Sequence, residues 1–230
     1  MSPRFVDLSY EIYNEMPVFP RIYRPFIGTH RGHADTQRPG GVSSHTSIII
    51  TGDHAGTHID STLHFNPRGE SAEKIPLDAV YGPATALDLS HKKAKDPVSA
   101  DEVAGTLEKH GIDPRSLKVL LFRTGASDIY QKPEYFDHYL EFQRDTVNWM
   151  LDHGIKTFGV DASTIDHAQN RATHMLVRER EYYHIENLAN VDQVIGKRFT
   201  FIGFPLKLRG ASASPIRAVA VFPDEEEGIL

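Results

Sequence analysis

Three of the 13 histidines in this 230-residue chain, His54, His58 and His64, fall within eleven consecutive positions, and Asp60 lies among them. An even spread would put fewer than one histidine there. The chain has no cysteine, so any metal must be held by imidazole and carboxylate, donors that suit zinc first and also manganese or iron. The four-residue separation of His54 and His58 matches a zinc-binding helical pair. However, Gly56 and Thr57 stand between them, the glutamate of an HExxH helix is missing, and the β-branched run SHTSIIIT (residues 44–51) comes just before. A strand running into a turn fits better. In extended backbone His58 and Asp60 point to the same side, and Gly56 allows the tight turn that brings His54 round to join them. That makes half a site. Asp161, Asp166, His167, His174, His184 and Glu186 form a second polar cluster far along the chain, and spacing alone does not choose among them.

These donors need a scaffold, and the chain predicts a strand-rich one. Residues 5–12, 44–51, 85–89, 118–124, 157–161, 199–204 and 216–222 carry the alternation or the apolar runs of strands. A helix follows Ser99, whose spacing to Glu102 is that of a capping box, and ends at Gly111. A second helix spans about residues 142–153, with Val147, Met150 and Leu151 on one face and Gly154 as its stop. A short third helix is expected over residues 186–195, before Gly196. After Met16-Pro17-Val18-Phe19-Pro20, residues 21–41 hold so many Gly and Pro that loop or hairpin is expected, at a length that usually serves function. The run Asp224-Glu225-Glu226-Glu227 reads as solvated charge. Many strands with two or three helices between them give an α/β or α+β class. No repeat or linker interrupts the chain, so one unit over residues 1–230 is expected.

Composition narrows the chemistry. A chain that is 40% hydrophobic and 24% charged buries an ample core without a structural metal. Its net charge of −6 argues against nucleic acid or an anionic membrane as partner. No apolar run reaches the roughly 20 residues of a membrane span. No apolar signal core follows Met1, which makes the cytoplasm the expected location. The lack of cysteine excludes thiolate nucleophiles, and there is neither a G-x-S-x-G elbow nor a phosphate-binding glycine loop.

The pattern H-x-G-T-H-x-D-x-x-x-H, running from His54 to His64, resembles the signature of the cyclase family, which includes bacterial kynurenine formamidases and isatin hydrolases. Asp7-Leu8-Ser9, Met16 to Pro20, Gly159-Val160-Asp161 with Ile165-Asp166, and His174 twelve residues before Glu186-Asn187-Leu188 match in the same order. So do Pro205-Leu206-Lys207 and Ser214 to Val219. The resemblance implies a mixed α/β fold of the swivelling β/β/α type and two divalent cations per subunit, zinc or manganese. His54, His58 and Asp60 would hold one ion. Asp60 would bridge to a second, held by His174, with Glu186 shared. His64 would be the catalytic acid/base, with an imidazole pKa near working pH suited to that task. Phe19 stands where the formamidases have a tryptophan lining the substrate pocket, and residues 21–41 look longer than their equivalent. The implied reaction is hydrolysis of the C–N bond of an aryl formamide such as N-formylkynurenine, or of a cyclic amide, by water activated at the cations. Alternatives are an isatin-type or lactone ring-opening hydrolase, or a metal-bound binding protein without turnover. The family is commonly dimeric, with one subunit near the other's pocket.

Outside that pattern, Asp53 is either an orienting carboxylate for a histidine or a solvated loop residue. Tyr182 and Tyr183 suit core packing better than the cleft. Arg217 suits an acidic partner near the site or across a subunit boundary.

Overall fold

The run Val119–Arg123 (β7) buries its first four residues on a strand covered on both faces. Leu120 and Phe122 turn into one hydrophobic cluster, and Val119 and Leu121 into another, the period-2 alternation that sets sheet architecture. The computed structural model describes residues 2–167 and 169–223. Residues 224–227, the expected solvated run, lie outside the described part.

Around β7 the sheet grows in both directions. Tyr81–Asp88 (β5) and Thr157–Val160 (β9) flank it in parallel, and Tyr183–Glu186 (β10) runs parallel to β9. Antiparallel strands then extend both sides: Phe199–Ile202 (β11), Val219–Phe222 (β13) and Arg4–Asp7 (β1) beyond β5, and His58–Asp60 (β4) and Ala213–Pro215 (β12) beyond β10. The result is one nine-stranded mixed sheet in the order β1-β13-β11-β5-β7-β9-β10-β4-β12. Helices Ala100–Lys109 (α2) and Arg144–Asp152 (α3) cover one face, where Val103, Leu107, Val147 and Met150 meet Leu120, Phe122 and Phe158. Ser99 caps α2 as expected, its side chain accepting from the Glu102 amide at 3.3 Å. The mixed α/β class stands. No helix among the described residues is long and apolar enough to cross a membrane.

Two expectations are corrected and one is refined. The first strand stops at Asp7, because Ser9 and Tyr10 leave the sheet to bond Ala218 and Thr57. The run at residues 44–51 forms the expected strand, Thr46–Ile50 (β3); among the described residues it pairs with Phe26–Arg31 (β2) in a hairpin separate from the main sheet, with a short helix, His33–Thr36 (α1), between the two strands. Residues 186–195 do not form a helix. Glu186 ends β10, Asn187 and Asn190 take left-handed backbone (φ 57° and 55°), and only Val191–Val194 makes a 3₁₀ turn. The Asn187 amide explains the break, since it donates to Gly56 O at 3.0 Å and accepts from the Tyr135 hydroxyl at 2.6 Å.

Phe122→Ala is expected to cost about 3–5 kcal/mol of stability, against about 1 kcal/mol for the cap change Ser99→Ala, both read from urea denaturation. Equal losses would show that the Phe122 cluster is not the core.

Candidate metal centre

Strand pairing assembles the site. β4 lies between β10 and β12, with Glu186 opposite His58 and Ile185 opposite Ile59. Ile59 and Ile185 are fully buried in the core, so alternation turns His58, Asp60, His184 and Glu186 to the other face together. Gly56 takes φ +66°, the left-handed turn that brings His54 back onto that face. His64 closes a 3₁₀ turn, Thr62–His64, four residues beyond Asp60. His174 arrives from the short helix Ala172–Met175 (α4). His54, His58, Asp60, His64, His174 and Glu186, the set that the family resemblance implied, thus lie together. His184, left undecided there, joins them.

The donor atoms divide into two groups. Asp60 Oδ1 lies 3.0 Å from His54 Nδ1 and 3.4 Å from His58 Nε2, while Asp60 Oδ2 lies 3.2 Å from His184 Nε2. Glu186 Oε2 is 3.6 Å from His58 Nε2, and Glu186 Oε1 is 3.6 Å from His174 Nε2 and 3.4 Å from His184 Nε2. Each carboxylate therefore spreads its two oxygens between the same two imidazole groups. Among the described residues, His58 Nε2, His184 Nε2 and Asp60 Oδ1 are buried with no hydrogen-bond partner, a costly arrangement unless a cation satisfies them. Donors on a tetrahedral cation with bonds of about 2.0–2.1 Å sit about 3.3–3.4 Å apart, close to the spacing found here. His54–His58–Asp60 and Asp60–His174–His184 each bring three ligand atoms within 4.8 Å of one another. The residues fit a divalent metal.

The outer nitrogens are held as ligating imidazoles require. His58 Nδ1 contacts Gly56 O at 2.8 Å, and His174 Nδ1 contacts Asp166 Oδ1 at 2.7 Å. His54 Nε2 meets Ser212 Oγ at 3.0 Å, and that hydroxyl donates to Asp53 Oδ2 at 2.8 Å. Asp53 thus orients a histidine through Ser212, a residue that carries no signal of its own in the sequence. Asp161 is not in the site: its carboxylate accepts from Thr124, Gly125 and Ser127. His167 accepts from the Gln169 amide in a turn. Tyr182 and Tyr183 pack in the core, and Arg217 pairs with Asp7 at the surface.

Electrostatics follows from burial and these partners. Burial pushes the Asp60 carboxyl up, but His54 and His184 outweigh it and hold Asp60 well below its usual range. Glu186, raised by burial, is drawn down to about 2 mainly by His174 and His184. Burial pushes the His184 imidazole down, yet Asp60 and Glu186 lift it to about 10. His64 is different. Burial dominates there and lowers it to about 4, despite Asp60, well below the near-working value expected from sequence.

His54, His58, His64, His174 and Glu186 line a cavity of about 290 Å³, with Phe19, Phe65 and Phe136 among its apolar walls. Phe19 meets Phe136 edge-on at 5.9 Å, and the Arg171 guanidinium lies 5.8 Å from the centre of its ring. Arg171 also donates to Thr164 and Asp166.

Known proteins of the same architecture carry related names. The kynurenine formamidase of Paracidovorax citrulli strain AAC00-1 is 31% identical over 96% of this chain and 99% of its own. An isatin hydrolase A from Ralstonia solanacearum superposes with a TM-score of 0.82 at 22% identity, covering 96% of this chain and 92% of its own. A protein described as a predicted metal-dependent hydrolase, from Bacillus stearothermophilus, superposes with a TM-score of 0.70 at 26% identity, covering 96% and 99%. The family model "Putative cyclase" matches residues 6–167. With the histidine and carboxylate cluster at the end of its sheet, this chain belongs to the cyclase family.

Proposed function

We propose that this chain is a metal-dependent hydrolase that cleaves the C–N bond of an aryl formamide, with N-formylkynurenine as the leading substrate. Asp60 and Glu186 carry this reading, because each divides its oxygens between two separate imidazole groups, the arrangement of carboxylates that bridge two cations. His54, His58 and Asp60 would hold the first ion, Asp60 and His174 the second, with Glu186 shared between them. Zinc suits the imidazoles, and manganese suits the carboxylates. Such ions polarise a carbonyl and bring the pKa of water toward neutrality, which amide hydrolysis at pH 7 requires.

The chain's own residues do the rest. His64 lines the cavity, and an imidazole held at about 4 is neutral at pH 7 and free to accept a proton. Its low affinity for that proton then favours passing it to the departing nitrogen, which cannot leave as an anion. Phe19, Phe65 and Phe136 receive the aryl ring. A cyclic amide of the isatin type would use the same groups and wall, and the Ralstonia solanacearum neighbour's fold lends that second reading support.

The proposal extends to a homodimer. Support comes from β3, whose residues are exposed on both faces, with Ile48, Ile49 and Ile50 at 45%, 66% and 53% exposure and Phe26 of β2 at 52%. Consecutive apolar side chains on an isolated hairpin are an interface signature, and a second copy of the same chain is the partner proposed here.

Zinc- or manganese-loaded protein is expected to hydrolyse N-formylkynurenine well ahead of unrelated amides. His64→Ala should lose about 100-fold or more in kcat with its metal content intact. Parallel loss of metal and activity would make His64 a ligand, and loaded protein inert toward formanilides, isatins and lactones would leave a binding protein.

Metal binding should also release protons. With its pKa lifted to about 10, His184 is protonated at pH 7 and must lose that charge as a dication enters between the same carboxylates. Apparent metal affinity should therefore rise with pH from 7 toward 10. Calorimetric binding enthalpies that do not vary with the ionisation enthalpy of the buffer would refute this.

For the dimer, light scattering should give twice the chain mass for the wild type and a monomer for Ile49→Asp. A monomeric wild type would end the proposal.

A further inference from the structure

We infer that His184 is a protein ligand of the second cation, which is thereby closed by four protein donors: Asp60 Oδ2, Glu186 Oε1, His174 Nε2 and His184 Nε2. The inference rests on the two-cation reading above and adds a residue to it.

The backbone leaves His184 little choice of direction. It stands two residues before Glu186 on β10, so strand alternation puts both side chains on the face that carries His58 and Asp60. Its ring meets the His174 ring edge-on at 4.7 Å, and Phe158 and Tyr182 lie 6.2 and 6.0 Å from it. With aromatic carbon on those sides, Nε2 points to the carboxylates. There it sits 3.2 Å from Asp60 Oδ2 and 3.4 Å from Glu186 Oε1, yet it is buried and makes no hydrogen bond. A nitrogen in hydrogen-bonding range of two carboxylate oxygens but aligned with neither is placed to share a cation with them. The spacing agrees, since donors on a four-coordinate zinc lie about 3.3–3.4 Å apart.

A proton-transfer role does not fit the same geometry. His64, His174 and Glu186 line the substrate cavity, and His184 does not. It lies behind them, against a second small void lined by Asp60, His64 and His174, out of reach of a reacting atom in the cavity.

The added ligand separates the two ions. Asp60, His174 and His184 are all buried, whereas His54 of the first group is only partly so. Four protein donors and no open position are the mark of a structural zinc. Two imidazoles and two carboxylate oxygens at tetrahedral spacing select zinc over an oxygen-rich octahedral ion such as manganese. The second position is thus a closed, buried zinc that fixes Asp60 and Glu186, and the first, with His54 only partly buried, is the more accessible of the two.

Metal-depleted wild-type protein titrated with Zn²⁺ against a chromophoric chelator is expected to bind two ions. His184→Gln and His184→Leu should keep the first nearly unchanged and bind the second about 100-fold more weakly or worse, since even outer-shell changes cost 10–100-fold. A wild type that binds no ion would overturn the metal reading itself. A wild type that binds one would remove the second position. Two ions with an undiminished second affinity in both variants would overturn only the His184 assignment. Anomalous scattering from zinc-loaded wild-type crystals tests the same point without variants. An ion within about 2.0–2.1 Å of His184 Nε2 supports the assignment, and zinc beyond bonding reach overturns it.

Discussion

Two carboxylates buried in one pocket impose the constraint from which the rest of this structure follows. Asp60 and Glu186 are 3% and 7% exposed, and each charge acts on the other, since Asp60 raises the Glu186 pKa. Taking a carboxylate out of water costs several kcal/mol even after relaxation, and a like charge beside it adds to that cost. Positive charge must therefore stand among them. His54, His58, His174 and His184 surround the pair, and Asp60 and Glu186 outweigh burial to lift the His184 imidazole to about 10. A cation at each group would meet the orphaned donors there, so protons and cations would compete for the same cluster.

Rigidity beneath the cluster keeps that exchange from becoming collapse. β4 has only three residues, and its central Ile59 is anchored opposite Ile185 in the core. A one-residue slip in this pairing would turn His58 and Asp60 into hydrocarbon and Ile59 into the site, so register and chemistry are fixed by the same contacts. Gly159 on β9 helps, because a Cβ there would come within 2.7 Å of Leu188 and 3.2 Å of Ile185, and only glycine lets β10 sit this close. The turn that carries His64 is held in the same way. Thr62 Oγ1 accepts from the Glu70 amide, the Leu63 amide donates to Glu70 O, and a Cβ on Gly69 would lie 2.5 Å from the Thr62 backbone.

Much of this was legible in the chain because it depends on local periodicity. The alternation of His58 and Asp60, the glycine that turns His54, and the cap at Ser99 are decisions made within a few residues, and the structure has each of them. What could not be seen depends on distant partners. The apolar run at residues 44–51 carries the pattern of a core strand, yet nothing local says that its partner would be β2 in an outlying hairpin. Residues 186–195 have helical composition, but the Asn187 side chain is claimed by Gly56 and Tyr135, about 130 and 52 positions away, and the backbone turns left-handed instead. That misreading also hid His184. Had Glu186 been placed at the end of a strand, the residue two positions earlier would have stood beside it by alternation alone.

The histidines differ in what holds their second nitrogens, and this separates their tasks. His58, His174 and His54 are each fixed through an outer nitrogen by a carbonyl, a carboxylate or a hydroxyl, which sets ring orientation and leaves one nitrogen aimed inward. Among the described residues, no hydrogen bond fixes the His64 ring. Asp60 Oδ2 lies 3.7 Å from it and the His54 ring 4.2 Å away centre to centre, and its side chain is 32% exposed against 2% for His58 and His174. A ligand gains from a rigid ring because ordering it beforehand reduces the entropy lost on coordination. A proton carrier gains from the opposite, since it must face first the attacking water and then the leaving nitrogen. The family pattern from His54 to His64 reads as a run of similar residues, but three dimensions divide it into imidazoles clamped through an outer nitrogen, as a ligand would be, and one left unclamped, as the proposed proton carrier would be.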